Sequence, residues 1–193
     1  MDNIKYYNDN AEKYLQSIFD VNINSQLDEF LSKIKKGGLI LDGGCGTGRD
    51  SAYMKRKGYD VIAFDASEKM AQIASETTGM DVLVDTFENI SLENNCFDGV
   101  WCMSSLLHVE KENMLSVFLK LYTSLKENGY FYCSFKMREE DFSEDGRSFS
   151  CYTEESFREL ISKTNFKIES IVILDDTRKS KKDEKWIYAL LKK

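Results

Sequence analysis

Leu39-Ile40-Leu41-Asp42-Gly43-Gly44-Cys45-Gly46-Thr47-Gly48 decides how this chain is read. A short apolar run that stops at an acid and two glycines is a strand followed by a tight turn. Glycines at 44, 46 and 48 let the backbone swing from strand into helix and approach a ligand closely. The dinucleotide fingerprint does not fit, because counting from Gly44 puts Arg49 where the third glycine belongs. Nor does the P-loop, since no Gly-Lys-Ser/Thr follows. A carboxylate at the strand end, Asp42, would repel a pyrophosphate. It suits a ligand with positive charge, or an ammonium and hydroxyls. Asp65, 23 residues further on, sits where a second strand ends and a ribose diol would be gripped.

Outward from this loop, helical and strand patterns alternate. Apolar spacing predicts helices over 6–19 and 25–36, then the strand 39–41, a short helix, and the strand 59–64 ending at Asp65. Ser67 is a natural N-cap for a helix to about Thr77 that Gly79 stops. Strands follow at 81–84 and 97–103, a helix at 110–127 ended by Asn128-Gly129, a strand at 130–135, and a helix at 153–164. The last strands, 166–174 and 186–191, have no helix between them and should pair antiparallel at one edge. The fold class is therefore α/β: a Rossmann-like, seven-stranded, mostly parallel sheet with helices on both faces and the last strand antiparallel. In such sheets ligands bind beyond the carboxyl ends of the strands, where Asp42, Asp65, Asp85 and Met103 lie.

The 193 residues read as a single domain, 1–193, with cap helices in 1–36, a core in 37–193 and a loop insertion at 136–152. Lys and Arg number 26 against 33 Asp and Glu, a net charge of −7, which argues against a nucleic-acid-binding surface over the whole protein. No apolar run approaches a membrane span and the N-terminus has no signal-peptide pattern, so a cytoplasmic location with no membrane partner is expected. The five cysteines form no C-x-x-C pair and read as reduced thiols. Proline is absent altogether, against an average near 5%.

From Asp42 to Gly48, with Asp65 behind it, the chain resembles the class I S-adenosylmethionine (SAM)-dependent methyltransferases. Within them it looks closest to small bacterial enzymes of the tellurite-resistance type. That likeness rests on Tyr7-x-x-x-Ala11-x-x-Tyr14, Gly46-Thr47-Gly48-Arg49-Asp50, Trp101 through His108, Ser134-Phe135-Lys136, Gly146-Arg147, and Asp176-Thr177-Arg178 with Trp186. The resemblance implies SAM as cofactor, leaving as S-adenosylhomocysteine (SAH). It further implies that main chain at Gly44, Cys45 and Gly46 passes under the methionine portion and that Asp65 takes the ribose hydroxyls. Ala66 and Met70 would flank adenine, Asp85-Thr86 reach its edge, and Met103 lie beside the sulfonium. Tyr7 and Tyr14 would form a lid from the first helix, the alternative being core aromatics, and Arg49 would line the same pocket. Gly43 departs from the pattern, where relatives carry an apolar residue, and should loosen packing beneath the loop.

The acceptor is less legible. The proline-containing loops of amino-methylating and cytosine-C5-methylating DNA enzymes cannot be built here, which sets those base-flipping classes aside. His108, the chain's one histidine, lies just past the fourth strand and could take a proton near pH 7, with Glu110 as a second candidate. Arg147 and Arg178 could grip an acceptor carboxylate or phosphate. The loop 136–152 carries an acidic rim, whereas 178–193 holds 7 basic against 2 acidic residues. The cluster Lys55-Arg56-Lys57 reads as a solvated helix end. These features favour methyl transfer to a small-molecule acceptor by a monomer or weak homodimer, without nucleic acid. The alternatives are an RNA or protein methyltransferase with the same cofactor site, or a SAM-binding protein without transfer activity.

Overall fold

The structure, a computed structural model, describes residues 2–17, 23–176 and 184–193. Five strands follow one another along the chain: β1 (Leu39–Gly43), β2 (Asp60–Asp65), β3 (Leu83–Val84), β4 (Phe97–Cys102) and β5 (Leu125–Lys136). A hairpin, β6 (Phe142–Glu144) with β7 (Arg147–Phe149), precedes the last two, β8 (Lys167–Asp175) and β9 (Lys185–Lys192). The helices are α1 (Asn3–Ser17), α2 (Asn24–Lys33), α3 (Arg49–Arg56), α4 (Glu68–Thr78), α5 (Lys111–Ser124) and α6 (Glu154–Ser162). Seven strands form one sheet in the order β3-β2-β1-β4-β5-β9-β8. The first five run parallel, and β9 is antiparallel to both its neighbours. The last two strands do pair antiparallel, yet the final one is inserted between β5 and β8, leaving β8 at the edge.

The sheet is buried on both faces, and the strand period of two sorts its residues. Leu41, Val100, Cys102, Phe131, Cys133, Phe135 and Ile187 point into a core shared with Phe118 of α5 and Phe157 of α6. Their neighbours Ile40, Trp101, Tyr132 and Leu190 point the other way, onto Phe30 of α2 and Met54 of α3. Strand order reverses between β1 and β4, which opens a crevice at their carboxyl ends.

Helix ends follow the sequence signals closely at α4, where Ser67 Oγ accepts from Met70 N and Gly79 closes the helix in the left-handed region. Three expectations are corrected. The helix expected to reach residue 127 stops at Ser124, because fully buried Leu125 already pairs with Phe97 and Asn128 (φ 63°) belongs to a bulge in β5. Within 136–152 lies a hairpin whose turn is Asp145-Gly146, both with positive φ (53° and 82°). Asp-Gly is the type I′ turn signal, and both residues adopt the positive φ that turn requires. Gly43 loosens nothing: a Cβ there would meet Phe87 Cε1 at 2.8 Å and Cys102 Sγ at 3.0 Å. The Phe87 ring fills the place that an apolar side chain at 43 would take.

Candidate active site

β1 and β2 deliver their terminal acids to one place. The loop after β1 is anchored by main-chain bonds from Gly44 N and Cys45 N to the Phe64 carbonyl, at 2.9 and 3.0 Å. Asp65 then holds the turn from below: Oδ2 accepts from Gly46 N at 2.8 Å and Oδ1 from Ser67 N at 2.9 Å. Gly44 could carry no side chain, since a Cβ would lie 2.4 Å from Ser105 Cβ. Gly46 (φ 56°) is different, for its missing Cβ faces open space on the cavity wall. Asp42 is buried and accepts from Ser51 Oγ at 2.5 Å. Asp50 is bound by Arg49 Nε at 2.7 Å and Trp101 Nε1 at 2.9 Å.

Burial, and then the nearby charge of Asp50, push the Asp42 carboxyl well above the usual carboxylate range. Burial raises Asp65 as well, against its two backbone donors. A buried and a half-buried acid whose charged forms are disfavoured, beside a cradle without side chains, fit a cationic ligand, an ammonium or sulfonium, that would restore their charge.

A cavity of about 1230 Å³ runs from this loop to the far end of β4. Every residue singled out for the cofactor lines it: Tyr7, Tyr14, Asp42, Gly44, Cys45, Gly46, Arg49, Asp65, Ala66, Met70, Asp85, Thr86 and Met103. So do His108, Arg147 and Glu110, the last exposed. Arg178 lies outside the described residues. Burial pushes the Cys45 thiol far up, so it stays protonated. Lys57 pairs with Asp28 at 3.3 Å and Lys55 caps the Thr78 carbonyl at 3.1 Å, as expected of a solvated helix end.

Tyr7 and Tyr14 are half-buried and stack edge-on at 5.2 Å on the cavity side of α1, outside both core clusters. The helix itself bridges two rims. Asn3 accepts from Ser148 N at 2.8 Å on β7, and Asn8 Oδ1 accepts from Ser67 Oγ at 2.7 Å at the start of α4. Neither asparagine carried a signal in sequence, because each partner lies more than fifty residues away.

His108 sits on a single 3-10 turn, 106–108, with both ring nitrogens engaged. Nδ1 lies 2.9 Å from the Ser148 carbonyl, which can only accept, so Nδ1 carries the hydrogen. Nε2 is then the acceptor for the Tyr7 hydroxyl at 2.8 Å. Burial, with the charges of Arg147 and Lys136, lowers the imidazole to about 4, so it is neutral at pH 7. Lys136 is itself buried and bound to Glu184 at 2.7 Å.

A family model described as a methyltransferase domain matches residues 40–129, the segment from β1 into β5. Over that segment, a little under half of the chain, the sequence is similar to a methyltransferase domain. An uncharacterized methyltransferase of Staphylococcus carnosus is 31% identical over 109 residues, covering 56% of this chain and 51% of that one. The chain spans about half the length, or less, of the curated relatives it matches. Among solved structures, 1,6-didemethyltoxoflavin-N1-methyltransferase of Burkholderia thailandensis, with SAH, superposes with a TM-score of 0.74 at 17% identity, covering 100% of this chain and 91% of that one. Magnesium protoporphyrin IX methyltransferase of Synechocystis, with SAM, gives 0.75 at 18% identity, with 98% and 94% covered. At such identities the likeness is one of fold. Among the described residues no helix is long and apolar enough to cross a membrane, and no group of three or more His, Cys, Asp or Glu could hold a metal.

Proposed function

We propose that this chain is a SAM-dependent methyltransferase acting on a small molecule. One observation carries the reading: a single cavity joins the acid-flanked glycine cradle to the pocket around Met103 and His108. Its 1230 Å³ exceeds the roughly 300–1,000 Å³ of ordinary small-ligand sites, leaving room for a cofactor and a modest acceptor together. The two solved methyltransferases above act on small ring compounds by their names, which agrees with this choice.

Gly44, Cys45 and Gly46 would hold the cofactor's amino-acid portion, Asp65 its ribose hydroxyls, and Ala66, Met70, Asp85 and Thr86 its base. Bound there, SAM supplies a methyl group on a positively charged sulfur, whose charge vanishes as the methyl leaves. The protein's part is to orient the nucleophile and exclude water. Asp42 and Asp65 balance the cofactor's charge, Tyr7 and Tyr14 close the cavity from α1, and Met103 lies on the wall between its two ends. His108 stays neutral with Nε2 as a proton acceptor. A proton leaving the acceptor passes to the Tyr7 oxygen as the Tyr7 proton moves to Nε2. A helix tied down at both rims disfavours a macromolecular acceptor. The reading extends to a cytoplasmic monomer or weak homodimer.

The test is methyl transfer from tritiated SAM to a deproteinised small-metabolite extract, beside total RNA and total protein. Label is expected in the small-molecule fraction and reduced in His108→Asn. Label confined to RNA or protein would overturn the acceptor class.

A further inference from the structure

Arg147 is the odd residue in the cavity. Its side chain is 14% exposed, and its Nε is the buried side-chain nitrogen or oxygen without a hydrogen-bond partner among the described residues. The Asp145 carboxylate paired with it is 72% exposed and stands 3.7 Å from a terminal nitrogen, beyond hydrogen-bond distance. The guanidinium carbon lies over the Tyr6 ring, 4.5 Å from its centroid, with the Phe149 centroid at 5.3 Å. Contact with two rings holds the guanidinium in place, and while the Tyr7 hydroxyl also reaches it, Nε is left unused. An unmade bond from a buried charged donor is costly, so a guanidinium held this way is set up for an acceptor that arrives with the ligand.

Resting on the methyl-transfer reading above, we propose that Arg147 anchors the carboxylate of a small aromatic acceptor. A monoanion suits a single fork. Lys136, the other cation near His108, is already neutralised by Glu184. Glu144 and Asp145 line the same cavity and would repel a dianion such as a phosphate monoester. The rings of Tyr6, Phe149, Trp186 and Tyr188 form the apolar surface on which an aromatic body would lie. The carboxylate holds the acceptor from behind, and the nucleophile is left to face Met103 and the Tyr7–His108 pair.

The experiment uses full-length protein labelled with 15N-arginine and saturated with SAH, whose binding is measured first by calorimetry. The Arg147 Nε–H resonance is identified by its loss in Arg147→Lys and followed during addition of benzoate, benzamide and phenyl phosphate. Benzoate should move it saturably and bind about tenfold or more tighter than benzamide, the worth of one charged hydrogen bond. That advantage should disappear in Arg147→Gln. No shift with benzoate, an equal shift with benzamide, or a preference for phenyl phosphate would each overturn the proposal. SAH binding without any benzoate effect would sink this inference alone, whereas absence of SAH binding would sink the methyl-transfer reading and the inference with it.

Discussion

Acidification should reveal His108 with unusual clarity, because it is the one histidine in the chain and its imidazole resonances need no assignment. The unfolded chain titrates near 6.5, and the folded protein near 4 because burial and two neighbouring cations disfavour the imidazolium. As pH falls below 6.5 the unfolded chain therefore takes the proton first. Stability contributed by the neutral imidazole is complete above pH 6.5 and is lost progressively as pH falls through 4. The interval corresponds to about 3 kcal/mol at 1.36 kcal/mol per pH unit. Urea denaturation of the wild type and His108→Asn between pH 7.5 and 4.5 isolates this contribution, since titration of the carboxylates is common to both. The gap between the two proteins should shrink by nearly that amount at the acid end. The 15N shifts should show hydrogen on Nδ1 throughout the neutral range. A midpoint near 6.5, or a parallel pH dependence in the two proteins, would refute the placement of the ring between Ser148 and Tyr7.

Asp65→Ala should lower SAH affinity by calorimetry, and it should also cost about 1–3 kcal/mol of stability in the unliganded protein, because Gly46 N and Ser67 N lose their acceptor. An unaltered denaturation midpoint would show that Asp65 does not hold the loop. Gly43→Val drives a side chain into Phe87 and should destabilise by about 1–3 kcal/mol, with partial recovery in the Gly43→Val/Phe87→Ala double variant. Strict additivity of the two substitutions would contradict the account of that packing. Asn8→Ala removes the acceptor for Ser67 Oγ and Lys69 N, so hydrogen exchange across α1 should quicken while β1 and β4 stay protected.

The parts of the molecule that were legible in the sequence are those with local causes. Gly44, Gly46 and Gly48, all at positive φ, mark the turn because few other residues sit there. Ser67 and Gly79 bracket α4 for similarly local reasons, and apolar alternation placed the strands. The acids at strand ends followed from topology. What escaped reading depends on distant partners. Asp65 reads in the sequence as the group that grips a ribose diol, and in the structure it also ties two backbone N–H groups. His108 reads in the sequence as a base near pH 7, whereas in the structure Ser148 and Tyr7 occupy its two nitrogens. Asn3, Asn8, Ser105 and Phe87 do their work through contacts that no window of sequence contains. The Asp145-Gly146 hairpin is the exception, a local signal submerged in a charged stretch.

Equilibrium dialysis of the folded protein against tritiated SAM tests the central claim most directly. One equivalent should be retained by the wild type. Retention should be lost in Gly46→Val, which fills the open face of the cradle and strains a left-handed residue. Folded wild-type protein that retains no label, or a Gly46→Val protein that retains as much, would contradict the account.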